Sequence, residues 1–158
     1  MTHSVTAILG EHKALSAFAE RESLRPPVES KAGVWVLALD ERALDSVAGI
    51  SVGDPVAGFT YLFPRLLSKL TEFSLEGWFV YVETDYFGGI GDQGAVALKE
   101  GKVAYGPARS PIGSINAALA SVGIKKASAA TDEFETVGLD TRRRTSDWLP
   151  YDEDDDDA

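Results

Sequence analysis

The sequence predicts a single α+β domain, with a mixed or antiparallel sheet, a central hairpin and helices packed against it. Three observations lead there. Segments of helical and strand periodicity mix without a strict strand–helix–strand rhythm. Two short apolar runs flank Glu100-Gly101, a hairpin signal that a doubly wound parallel sheet does not carry. The 158 residues, 44% hydrophobic and 25% charged, are enough for one domain with its own core.

Each element has a local reason. Val5 to Leu9 reads as a short strand, and Leu15, Phe18 and Ala19 place a helix between Glu11 and Ser23. Pro26 and Pro27 end that unit. Val34 to Leu39 is a continuous apolar run that suits a strand buried on both faces. Asp40 can cap a short helix carrying Leu44 and Val47. Gly49 to Gly58 reads as an irregular connection. Pro64 suits a first helical turn, and Phe63, Leu66, Leu67, Leu70 and Phe73 form one apolar stripe.

Trp78 to Asp85 is the clearest strand. Trp78, Val80, Val82 and Thr84 share one face, and Phe79, Tyr81, Glu83 and Asp85 the other. Both faces turn polar towards the end, so that end should open to solvent or a site. Ala95 to Glu100 and Lys102 to Tyr105 make the hairpin. Ser110-Pro111 should open a helix with Ile112, Ile115 and Leu119 on one face and Gly123 as its stop. Asp132 and Glu135 have capping-box spacing for a short helix burying Phe134 and Val137. Trp35 and Trp78 are core residues by context. The domain is expected to span residues 1–150, with 151–158 as a disordered acidic tail.

Charge narrows the function classes. There are 15 basic and 25 acidic residues, for a net charge of −10. Six of the acids are Asp152 to Asp157, and without them the charge is −4. Such a block stays solvated, and the balance disfavours nucleic-acid binding, which needs a basic face. Arg142 to Arg144 is the one basic cluster, read as a solvated loop or an anion contact. With no cysteine there is no disulfide scaffold, thiolate metal site or thiol nucleophile. No run approaches a membrane span, and Met1 to Glu11 lacks signal-peptide character, so the cytoplasm is the expected location.

The most distinctive stretch runs from Asp85 to Gly94 and includes Gly88, Gly89, Gly91 and Gly94. Gly89, Gly91 and Gly94 formally match a dinucleotide fingerprint. A strand pattern follows where a helix is required, and Asp85 and Asp92 would face the phosphates. The reading is therefore a tight loop between adjacent strands, with Tyr86 and Phe87 at its mouth. Its glycines allow close backbone approach, either to the protein's own chain or to a partner.

Residues suited to catalysis are few. His3 sits in a terminus expected to fray, and His12 lies on a helix surface with no metal-spaced companion. No cofactor or metal is expected. Glu83 and Asp85, joined by Asp92, could pair for acid–base work or hold a hard cation; the alternative is that Glu83 pairs with an arginine at the core edge while Asp85 caps the loop. Trp148 stands in a polar segment, where it either docks on the body or anchors an interface.

Val82 to Ala97, Pro111-Ile112, Asp132 to Phe134, Gly138-Leu139 and Arg144 to Trp148 together form a pattern. It resembles a group of small, uncharacterised bacterial cytosolic proteins, some of them similar to the immunity proteins of polymorphic toxin systems. The resemblance covers Trp78 to Trp148 and implies no catalytic residue. Acidic charge, the lack of a catalytic constellation and a loop with aromatics at its mouth lead to the expectation of an acidic, non-enzymatic inhibitor of immunity type that masks a protein partner, such as a basic toxin or nuclease. Asp85, Tyr86, Phe87, Asp92, Gln93 and Trp148 are the expected contact residues. Two rival readings are a small enzyme or ligand-binding domain at the end of the Trp78–Asp85 strand, and a structural subunit of a larger assembly. Oligomeric state is left open.

Overall fold

The computed structural model describes residues 2–48, 54–56 and 58–150. The expected acidic tail and most of the Gly49–Gly58 connection lie outside these residues. In chain order the elements are β1 (Thr2–His3), β2 (Thr6–Gly10), α1 (His12–Arg21), β3 (Val28–Glu29), β4 (Trp35–Ala38) and α2 (Glu41–Ala48). There follow α3 (Pro64–Phe73), β5 (Phe79–Phe87), β6 (Ile90–Lys99), β7 (Lys102–Ser110), α4 (Ser114–Ser121) and α5 (Glu133–Thr136). Two 3-10 turns, Leu139–Thr141 and Thr145–Trp148, close the fold.

The architecture is α+β. The strands form one sheet in the order β3-β4-β2-β5-β6-β7, with β1 added alongside β5, and every strand pairing is antiparallel. Period-two alternation along β5 sorts its side chains into two layers. Val80 and Val82 pack with Ile115, Leu119, Val137 and Trp148. Phe79 and Tyr81 pack with Leu15, Phe18, Leu66 and Leu70. Helices α1, α2 and α3 thus cover one face, and α4, α5 and the 3-10 turns the other. Continuous apolar strands such as β4 follow from this double covering.

Several local readings hold at atomic level. Asp40 Oδ1 accepts from the Ala43 N–H at 2.9 Å, capping α2. Pro64 opens α3. Asp132 Oδ1 accepts from the Glu135 N–H at 2.9 Å. The hairpin between β6 and β7 turns through Glu100 and Gly101, with φ of +56° and +78°.

Four expectations need correction. Ser110-Pro111 does not open a helix: Ser110 still pairs with Gln93 in the sheet, and α4 begins at Ser114. Gly113, at φ +99°, sets that late start, and Ile112 is left exposed. Trp35 and Trp78 are only partly buried, each at the rim of a core layer. His3 does not fray. It pairs with Tyr86, and its ring is hydrogen-bonded on both sides. The glycine-rich stretch is mostly strand, as described next.

Candidate functional site

The expected loop from Asp85 to Gly94 is a hairpin arm. β5 and β6 stay in register from Phe79 opposite Leu98 to Phe87 opposite Ile90. Only Gly88 and Gly89 lie outside the pairing, at φ of +61° and +83°. Two successive positive φ values give a turn whose twist matches that of the strands, so pairing continues to the tip. Gly91 and Gly94 have a different role, as strand residues that keep space clear. A Cβ on Gly91 would lie 1.9 Å from the Asp85 carbonyl oxygen, and one on Gly94 2.8 Å from the Phe59 ring. The strand after Gly94 also removes the helix N-terminus that a pyrophosphate site requires.

Alternation along the arm divides the expected contact residues between its faces. Glu83, Asp85 and Phe87 share the α1–α3 side with Ile90 and Asp92 of the partner strand. Thr84, Tyr86 and Gln93 share the α4 side.

Glu83 is buried and saturated with donors. Oε1 accepts from the Thr60 N–H and from Arg109 Nη1, both at 2.9 Å. Oε2 accepts from the Tyr61 N–H at 2.9 Å and from the Tyr81 hydroxyl at 2.6 Å. A carboxylate has about four acceptor positions, and all are taken. Burial, followed by the adjacent negative charge of Glu83, pushes the Tyr81 hydroxyl well above its ordinary pKa of 10. Glu83 therefore fastens the 58–62 segment to the sheet, and offers no vacant oxygen for a cation or a proton transfer.

Arg109 continues this network to the surface. Its Nε and Nη2 donate to Asp92 Oδ1 at 3.0 and 2.7 Å. Hydrogen bonding to Asp92 is the main cause holding its guanidinium above the usual arginine pKa. The pairing matters because Asp92 lies directly opposite Asp85 in the ladder. Like charges in that position repel, and Arg109 offsets one of them. Asp85 is exposed, and among the described residues it has no hydrogen-bond or ion-pair partner.

On the α4 side, Tyr86 and Gln93 form a brace. The Tyr86 hydroxyl donates to the Pro111 carbonyl and accepts from Gln93 Nε2 at 3.0 Å. Gln93 Oε1 accepts from the Ile115 N–H at 2.7 Å. Gln93 is buried and Tyr86 half-buried, so both position the arm. Trp148 also leaves the contact set. It is 1% exposed, packed in the α4-side core, with the Arg142 guanidinium 4.6 Å from its ring centroid.

What remains exposed at the tip is Phe87, at 79%, and Ile90, at 82%, facing one another across the turn. Sequence reasoning missed Ile90. Pairing the strands about Gly88-Gly89 would have found it, because that register sets Ile90 opposite Phe87. Of the expected contact residues, the structure thus gathers Asp85, Phe87 and Asp92 on one surface, places Tyr86 and Gln93 in the brace behind it, and buries Trp148 in the core.

A cleft of about 960 Å3 lies elsewhere, lined by Thr6, Asp40, Asp45, Tyr61, Arg144 and others. Neither Glu83 nor Asp85 lines it. Among the described residues no group of three or more His, Cys, Asp or Glu is placed to hold a metal, and no helix is long and apolar enough to cross a membrane. Comparison with protein-family models, curated proteins and solved structures finds no match.

Proposed function

We propose that this chain is a non-enzymatic inhibitor of immunity type, which masks a functional surface of a protein partner with the tip of the β5–β6 hairpin. The observation that carries this reading is the Phe87–Ile90 pair. Two large apolar side chains held in water on a braced two-stranded arm lose little conformational freedom on docking, and apolar anchors of this kind dominate binding energy. Asp85, unpaired beside them, favours a cationic contact on the partner. The chain's net charge of −10 would steer encounter with a basic protein, at a rate that falls as salt screens the field. The resemblance of Trp78 to Trp148 to immunity-like chains supports the same reading.

The test places a photo-activatable amino acid at Phe87 in the source cell and, as a control, at Glu20 on α1. The expected result is one saturable adduct at position 87, absent at 20, with a protein whose activity falls when the purified chain is added. Absence of a saturable adduct, or a partner whose activity is unchanged, would overturn the reading. Turnover of a small compound by the purified chain would do the same.

A further inference from the structure

Exposed apolar side chains stand on the hairpin arm and on the short turn from β7 to α4 that packs behind it. Among the described residues six large hydrophobic side chains are exposed, and three of them, Phe87, Ile90 and Ile112, belong to this region. Phe87 and Ile90 project on the α1–α3 side. Ile112, at 80% exposure, belongs to the turn that lies on the α4 side, where the Tyr86 hydroxyl holds the Pro111 carbonyl and Gln93 holds the Ile115 N–H. Tyr86 and Phe87 are consecutive strand residues, so their side chains leave opposite faces of the sheet. Ser110 Oγ, which donates to the Ile112 carbonyl at 2.9 Å, holds the short turn down from its other end.

We infer that the partner surface is a cleft that receives the arm and touches both of its faces, with Phe87 and Ile90 against one wall and Ile112 against the other. A flat surface could cover only one of the two apolar patches. The required cleft is about 10 Å wide, the spacing that separates one packed β-layer from the next. Its wall on the Phe87 side carries a lysine or arginine, since Asp85 brings an unpaired carboxylate there. This inference rests on the inhibitor reading and deepens it: a chain that plugs a cleft blocks whatever substrate the cleft serves. It also gives Gln93 a function, because Gln93 ties Tyr86 to the start of α4 and so sets the spacing of the two patches.

Photo-crosslinking from positions 87, 90 and 112, with adducts mapped on the partner by mass spectrometry, tests this directly. All three residues are exposed, so the labelled chains should fold, and circular dichroism checks that they do. The expected result is one partner, with the adducts from 87 and 90 on one wall of a cleft and those from 112 on the facing wall. Ile112→Asp and Phe87→Asp should each weaken binding by about tenfold or more. Adducts from 87 and 90 without any from 112, together with unchanged affinity for Ile112→Asp, would leave the hairpin contact standing and overturn the two-walled cleft. No adduct from any position would remove both readings.

Discussion

Arg109 joins Glu83 to Asp92: its Nη1 lies 2.9 Å from one carboxylate and its Nη2 2.7 Å from the other. One guanidinium thus links the buried fastener of the 58–62 segment to the exposed arm that carries Phe87 and Ile90. Removing Glu83 would leave Arg109, Tyr81 and two backbone N–H groups short of an acceptor. Glu83→Ala should lower the unfolding free energy by about 3–5 kcal/mol in urea titration, the usual cost of breaking a buried, hydrogen-bonded charge pair. A loss below 1 kcal/mol would show that the network is not a fastener.

His3 gives the fold a pH dependence. Nε2 faces the Leu139 carbonyl at 2.9 Å and must donate, so Nδ1, 2.7 Å from Thr84 Oγ1, accepts from that hydroxyl. The neutral ring is thereby satisfied. Burial is the main cause that lowers its pKa below 6.5, aided by Arg143 and opposed by the Leu139 hydrogen bond and by Asp140. Between the lowered value and 6.5, the unfolded chain binds the proton that the folded chain refuses. Stability from this residue is complete above pH 6.5 and is lost as pH falls through the folded value. His3→Gln should remove that part of the slope, read as the difference between the two proteins' urea midpoints from pH 8 to pH 5. Parallel curves would contradict the assignment.

Gly94 lies beneath Phe59. A Cβ there would sit 2.8 Å from the ring, and the ring, buried in the core, has little room to retreat. Gly94→Ala should cost about 1–3 kcal/mol, as overpacking commonly does. Adding Phe59→Leu should cost less than the sum of the single changes, measured in a double-mutant cycle. Strict additivity would mean that the ring is not the obstacle.

Phe87→Ser with Ile90→Ser should leave stability within about 0.5 kcal/mol of the parent, because neither side chain is packed in the core. With serine rather than aspartate at both positions, no new carboxylates face one another beside Asp85 and Asp92. The same two changes should abolish the adduct formed from position 112. A drop in thermal midpoint of many degrees would show that the tip supports the fold.

Trp148→Ala should cost about 3–5 kcal/mol, the range for truncating a buried tryptophan. An interface anchor exposed in the free chain would lose almost nothing. Chemical denaturation of the purified chain separates the two roles.

Local features were legible wherever a short stretch of chain decides its own geometry. The Asp40 cap, Pro64 at the start of α3, the Glu100-Gly101 turn and the alternation along β5 follow from propensities within a few residues. Ser110 to Gly113 misled for the same reason. Its helix-opening pattern competes with pairing to Gln93 on the preceding strand, and how far that hairpin stays paired is not set within a few residues of Ser110. At the site, Asp85, Phe87 and Asp92 were legible as a group because the glycines marked the arm, whereas Ile90 and Ile112 needed the register and the Tyr86 brace.

The sequence by itself determined the α+β class, the order of most elements and the concentration of glycine, aromatic and acidic residues in one arm. It could do so because periodicity and turn chemistry act over short distances. Only the tertiary structure decided which of those residues face water. Glu83 and Asp85 are two positions apart on the same strand face, yet among the described residues one meets four donors and the other none. Trp148 and Phe87 are both aromatics in polar surroundings, yet one fills a core and the other stands at a tip. Burial depends on what the rest of the chain brings alongside, and no local pattern encodes that.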